Sequence, residues 1–186
     1  MNEFIQDPKF GESWFNYADI YDLFVDYIHD GGCFVELGCW KGQSISYFVN
    51  QTFTCNKQIS TTCIDLWGGD ALDGSGDGEI FHEFILNTFP IRDKINIIRG
   101  DSADSAKMYP SIADVVWIDA NHSYEAVCRD IDAWLPKIKP NGIIAGHDID
   151  WSGVFEAVCE KIYRTNIPGY GKVIGNSWVY FLERNK

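Results

Sequence analysis

Three short stretches hold the residue types from which a reactive site can be built. The first, Glu36-Leu37-Gly38-Cys39-Trp40-Lys41-Gly42, follows an apolar run and precedes a helical pattern. Glycines in such a turn let backbone approach a ligand closely, and a helix start offers free N–H groups. Asp65 closes the next apolar run, where an acid can accept hydrogen bonds from both hydroxyls of a ribose. The Gly-x-Gly-x-x-Gly spacing of dinucleotide sites is absent, which argues against a nicotinamide. The other two stretches are Ile118-Asp119-Ala120-Asn121-His122-Ser123-Tyr124-Glu125 and Ala145-Gly146-His147-Asp148. A histidine at position 122 suits proton abstraction near neutral pH. Asp119 and Asp148 offer the hard oxygen ligands that Mg2+ prefers.

Each of these residues also has a plainer reading. Asp119 suits a helix entry, Asn121 or Ser123 an N-cap, and His122 a bond to backbone. His147 fits a site and a structural role equally, whereas His29 and His82 read as surface or helix residues. Trp67 fits a cover over adenine or a place in the core.

Positioning these groups requires strands that end where they stand. Apolar runs of strand length alternate with helical patterns, the signature of a parallel α/β sheet. Strands are predicted over Cys33–Leu37, Ile59–Leu66, Ile95–Gly100, Asp114–Asp119 and Ile143–Gly146. Helices are predicted over about Ser13–His29, from Gln43 and Ser44, over Glu79–Phe89 and over Ser102–Tyr109. A further apolar stripe, Val127, Ile131, Trp134, Leu135 and Ile138, predicts a helix ended by Pro140-Asn141-Gly142. Val154, Phe155, Val158 and Ile162 mark another, and Lys172–Leu182 reads as an antiparallel hairpin turning at Gly175-Asn176. The fold class expected is a Rossmann-like, doubly wound, mostly parallel seven-stranded sheet with helices on both faces. The Gly- and Asp-rich stretch from Trp67 to Gly78 reads as a loop and lacks the full calcium-loop pattern.

Composition limits the partners. The chain has 186 residues, enough for one domain with its own core. A net charge of -12 argues against DNA, RNA or an anionic membrane as the main partner, since those are bound by basic faces. The six cysteines form no Cys-x-x-Cys pair and read as reduced core residues, which predicts a cytoplasmic protein. The polar N-terminus predicts no signal peptide, and no run is long and apolar enough to span a bilayer.

Together the stretches resemble class I S-adenosylmethionine-dependent methyltransferases, in particular a small family related to macrocin and other antibiotic or sugar O-methyltransferases. The resemblance covers about Phe34 to Asp148 in order and spacing. It implies that Glu36, Gly38 and Gly42 contact the methionine end of the cofactor and that Asp65 holds the ribose. It places Asp101 and Ser102 beside the adenine and Asp119 under the methyl-transfer centre, with His122 as general base. Asp119 and Asp148 could then share a Mg2+ ion. The relatives often have a second acid where Asn121 stands and an acid pair where His147-Asp148 stands, so the departures touch the metal more than the cofactor. The expectation is a single methyltransferase domain over residues 1–186, with residues 1–30 as a helical segment on the substrate side. The acceptor expected is a small hydroxylated molecule such as a sugar or glycosylated metabolite, and a homodimer could complete its pocket. Two alternatives stay open: a non-catalytic S-adenosylmethionine-binding scaffold, and an N-methyltransferase on a macromolecule. The second lacks an Asn-Pro-Pro-Tyr stretch.

Overall fold

The computed structural model describes residue 10 and residues 14–68 and 78–183. The chain runs α1 (Ala18–Tyr27), β1 (Cys33–Leu37), α2 (Gln43–Thr54), β2 (Ser60–Asp65), α3 (Glu79–Thr88) and β3 (Ile95–Arg99). It continues through α4 (Ser102–Ser105), β4 (Ala113–Ile118), α5 (Tyr124–Trp134), β5 (Ile138–Gly146), α6 (Ser152–Val158), β6 (Gly169–Ile174) and β7 (Ser177–Leu182). The seven strands lie in the order β3-β2-β1-β4-β5-β7-β6. The pairings β3–β2, β2–β1, β1–β4 and β4–β5 are parallel, and β7 is antiparallel to both β5 and β6.

Alternation along the strands sorts the core into two layers. Phe34 on β1 and Val115 and Trp117 on β4 face α1, α2 and α3, with Phe24, Phe48 and Phe84. Val35, Leu37, Val116 and Ile118 face α5 and α6, with Val127, Ile131, Trp134 and Val154. The central strands are buried on both faces, which is why they read as continuous apolar runs. Among the described residues no helix is long and apolar enough to cross a membrane. All six cysteines are free thiols, but only Cys39, Cys63 and Cys128 are buried; Cys55 is exposed.

Three boundaries depart from expectation: α1 begins at Ala18 rather than near Ser13, α4 ends at Ser105 rather than Tyr109, and α5 ends early. The stripe ending in Ile138 does not belong to one helix: α5 stops at Trp134, and Leu135–Lys137 forms a 3₁₀ turn. Pro136 has no N–H for the helical ladder and its ring crowds the preceding turn. Ile138 instead opens β5, which pairs with Ala113, so Pro140, Asn141 and Gly142 lie in a strand. The predicted loop between Trp67 and Gly78 lies, over residues 69–77, outside the described residues; so do residues 1–9 and 11–13 of the N-terminal segment.

Sheet order reverses between β1 and β4. In doubly wound sheets, ligands bind beyond the carboxyl ends of the strands at this switch point. The turn after Leu37 and residue Asp119 after Ile118 both stand there.

Candidate active site

The two strand ends are stitched together by backbone. Asp119 N–H donates to Leu37 O at 2.8 Å, and His147 N–H donates to Ile118 O at 3.2 Å. Gly38 has φ +85°, and a Cβ there would lie 2.0 Å from Asp119 O. Gly42, at φ +84°, precedes α2, and a Cβ there would meet the Thr88 side chain at 2.6 Å. Both positions therefore need glycine for the contact of chain with chain.

Asp119, His122 and Asp148 converge beyond β4 and β5. Each offers a ligand atom, and the three atoms lie within 4.8 Å of one another. His122 Nε2 is 3.4 Å from Asp119 Oδ1 and 3.2 Å from Asp148 Oδ2. The second oxygen of each acid is fixed by a neutral donor. Tyr17 Oη donates to Asp119 Oδ2 at 2.9 Å, and Asn176 Nδ2 donates to Asp148 Oδ1 at 2.9 Å. Asn176, in the β6–β7 turn, also accepts from Ile149 N–H and Asp150 N–H. These bonds hold Asp148 at φ +52°, a left-handed conformation that side chains other than glycine rarely adopt.

His147 links Asp148 to Asn16. It is buried, its Nδ1 lies 3.2 Å from Asp148 Oδ1, and its Nε2 lies 3.2 Å from Asn16 Oδ1. Burial pulls the proton affinity of His147 down, but the Asp148 hydrogen bond and the charges of Asp119 and Asp148 outweigh it, so the net shift is upward. Burial pushes the Asp148 carboxyl up, yet His147, the charge of His122 and the Asn176 bond leave it below its ordinary value.

Ser123 caps α5 through Ala126 N–H at 3.4 Å, and Asn121 Oδ1 accepts from Ser123 N–H at 2.8 Å. The N-cap reading thus holds for Ser123, Asn121 bonds the backbone just ahead of the cap, and Asp119 and His122 face the cluster. His29 and His82 are exposed. Sequence reasoning missed Asn16, Tyr17 and Asn176. The first two act across separations of 131 and 102 residues, for which no local pattern exists; Asn176 was visible only as a turn residue.

On the other side of the switch point, Asp65 Oδ2 accepts from Cys39 N–H and Trp40 N–H, each at 2.9 Å, and Oδ1 accepts from Trp67 N–H. Burial raises the Asp65 carboxyl despite these bonds. Trp67 is core: it packs on Phe81 and Phe84, and its Nε1 donates to Trp40 O. Glu36 is fully buried, with Ser44 Oγ donating to Oε1 at 2.5 Å. Burial pushes its carboxyl up to about 8. Asp101 caps α4 and pairs with Arg129, and Ser102 donates to Asp130. Neither lies in the Asp119 cluster; both are anchored by residues of α5.

Comparison with known proteins decides the family. A family described as methyltransferase domain matches residues 35–149, well over half of the chain. The chain belongs to this methyltransferase family. An uncharacterized protein, y4gI of Sinorhizobium fredii, is 27% identical over 119 residues; the match covers 62% of this chain but only 13% of y4gI. Among solved structures, the O-methyltransferase NovP superposes with TM-score 0.74 at 16% identity, covering 90% of this chain and 79% of NovP. MycE, a methyltransferase of the mycinamycin pathway solved with Mg, SAH and mycinamycin VI, gives TM-score 0.65 at 17% identity. That match covers all of this chain and 54% of MycE. At these identities the likeness shows the shared fold.

The methyl donor of such a domain is S-adenosylmethionine, and the residues fit it. Among the described residues Trp40 Nε1 is buried beside the turn without a hydrogen-bond partner, which is costly unless a ligand satisfies it. The carboxylates of Asp65 and Asp119 give the switch point the sign that a sulfonium and an ammonium require, and Glu36 adds to it once it ionises.

Proposed function

We propose that this methyltransferase transfers a methyl group to a hydroxyl of a small molecule, such as a sugar or glycosylated metabolite. The observation that carries the reading is His122 Nε2 set between the carboxylates of Asp119 and Asp148 at the switch point. S-adenosylmethionine supplies a methyl already activated toward an oxygen nucleophile. What remains for the protein is to align the hydroxyl and take its proton. His122 takes that proton, and the charge that arrives with it sits between two carboxylates. Tyr17 and Asn176 hold the outer oxygens of those acids, so the inner ones stay turned to His122.

The cofactor lies across the strand ends. Glu36, Gly38 and Gly42 take its methionine end, Asp65 its ribose, and Asp101 and Ser102 its adenine. Asp65 keeps lone pairs for this beside its three backbone bonds. A Mg2+ ion would be held by Asp119 and Asp148, whose hard oxygens suit it, and would supply electrostatic orientation of the hydroxyl. NovP is named an O-methyltransferase and MycE was solved with Mg, which supports both parts by analogy of fold. The domain extends over the whole chain, with the N-terminal segment on the acceptor side. That placement is supported by the bonds from Asn16 and Tyr17 into the cluster. The acidic chain favours a small acceptor over a nucleic acid.

Titration calorimetry tests the cofactor half. Glu36, pushed up to about 8, is mostly neutral at pH 7, and the methionine ammonium favours its ionised form. Binding should therefore release close to one proton (roughly), read as a dependence of the apparent enthalpy on the buffer's ionisation enthalpy. Glu36→Gln should bind more weakly and lose that dependence. No binding of S-adenosylmethionine at about 1 mM would end the cofactor assignment. Binding without proton release would remove Glu36 from it.

A further inference from the structure

Tyr21 is fully buried in α1 and carries a hydroxyl that a phenylalanine in its place would not have to hide from water. Its ring stands edge-on to Phe34, Phe48 and Trp117, with centroids 5.5–6.0 Å away, so the ring is fixed and only the O–H can turn. Tyr17, at the start of α1, gives its hydroxyl to Asp119. The Tyr21 hydroxyl acts instead on Glu36, which is also fully buried. Ser44 Oγ covers Glu36 Oε1, and Glu36 Oε2 and Tyr21 Oη meet no other described group. Burial pushes the Glu36 carboxyl up to about 8, and Ser44 and Tyr21 pull it the other way. The other titratable groups set around it are Tyr17, Cys39, Cys63, Asp65 and Asp119, none of them a base. Burial, with the Glu36 charge behind it, holds the Tyr21 phenol well above its ordinary value, so it stays a hydroxyl through the neutral range.

We infer that Tyr21 is the positioning residue of Glu36: its hydroxyl accepts from the neutral acid before the cofactor binds and turns to donate to the carboxylate once the methionine ammonium is in place. On the cofactor reading above, which this deepens, Glu36 ionises beside that ammonium and its proton leaves to solvent. A buried carboxylate needs donors on its oxygens, and a buried acid needs an acceptor for its proton. A tyrosine hydroxyl is both, and it serves the two states by rotating about its C–O bond. Hydrogen bonds to an ionised group are roughly twice as strong as those between neutral ones, so the pairing favours ionisation on balance. Phenylalanine at this position would fill the same space and serve neither state.

Carbon NMR of the cofactor-free protein reads the pairing without turnover. Glu36→Gln and Tyr21→Phe identify the Glu36 Cδ and Tyr21 Cζ signals by their loss. In the native protein the two signals should titrate with one midpoint. In Tyr21→Phe the Glu36 midpoint should rise by about one pH unit. S-adenosylhomocysteine carries the same ammonium and serves as the binding probe. Its affinity for Tyr21→Phe should be about tenfold weaker than for the native protein at about pH 7, and less than about twofold weaker at about pH 9, where Glu36 is ionised in both. The ligand's own titration cancels in that ratio. A ratio that stays level between these pH values, as lost packing alone would give, overturns the role of Tyr21. So does a Glu36 midpoint that Tyr21→Phe leaves in place, or a native Tyr21 signal that does not follow Glu36. The cofactor reading fails separately: coupled titration of Glu36 and Tyr21 with no binding of S-adenosylhomocysteine at about 1 mM leaves the pairing and removes its use. Binding with a level ratio keeps the cofactor and removes Tyr21.

Discussion

Replacing His122 with alanine should lower kcat by about 10²- to 10⁴-fold, the usual contribution of a positioned acid–base group, and leave S-adenosylmethionine affinity within about twofold. The expectation follows from where the ring stands. His122 stands in the acid cluster with Asp119 and Asp148, whereas the Asp65 carboxylate binds the backbone of Cys39 and Trp40. Removing it also brings two carboxylates together without the group between them, so some loss of stability is expected. His122→Gln separates the two effects. Glutamine donates to both carboxylates but accepts no proton from the acceptor hydroxyl. Its stability should recover and its turnover should not. Turnover of His122→Gln within about threefold of the native protein would assign His122 a structural role.

Gly38→Ala should be strongly destabilising. A positive φ costs an L residue about 1 kcal/mol, and Gly38 sits at φ +85°. The larger cost is contact. The new Cβ would lie 2.0 Å from Asp119 O, 2.5 Å from Asp119 C and 2.7 Å from Ala120 Cα, all backbone atoms that no rotamer can clear. The ends of β1 and β4 must part, and with them the Asp119 N–H to Leu37 O bond. Gly31 is the control, because it has φ +80° and nothing within 4 Å of a Cβ. Thermal unfolding should show Gly31→Ala losing only the conformational cost. Gly38→Ala should lose more than about 3 kcal/mol, a fall in Tm of roughly 10 °C for a chain of this size. Equal shifts for the two variants would mean that the strand ends are not locked at Gly38.

Much of the scaffold is legible in the sequence because buried parallel strands announce themselves. Cys33–Leu37 is apolar but for Glu36, and it forms a strand with those bounds. Asp119 and Asp148 are readable for the same reason, since residues following central strands must arrive at one rim. The end of α5 is misread because the apolar spacing continues through Leu135 to Ile138 while Pro136 stops the helix, a case of backbone chemistry overriding periodicity. What orients the site is not legible. Tyr17 reaches Asp119, Asn16 meets His147, and Asn176 secures Asp148 only after the sheet and its terminal hairpin have assembled. The glycine turn shows the same limit from the other side. Its spacing suits a ligand's approach, but it does not show that Gly38 must also clear the Asp119 carbonyl, a contact made only once β1 and β4 lie side by side.

The most direct test of the account is transfer of a labelled methyl group from S-adenosylmethionine to small hydroxylated acceptors, with Mg2+ and with the cation chelated. The predicted result is label in an ether-linked methyl on the acceptor, abolished by His122→Gln, with chelation slowing transfer if Asp119 and Asp148 hold the cation. Label carried to an amine or to a macromolecule, or undiminished in His122→Gln, would contradict it.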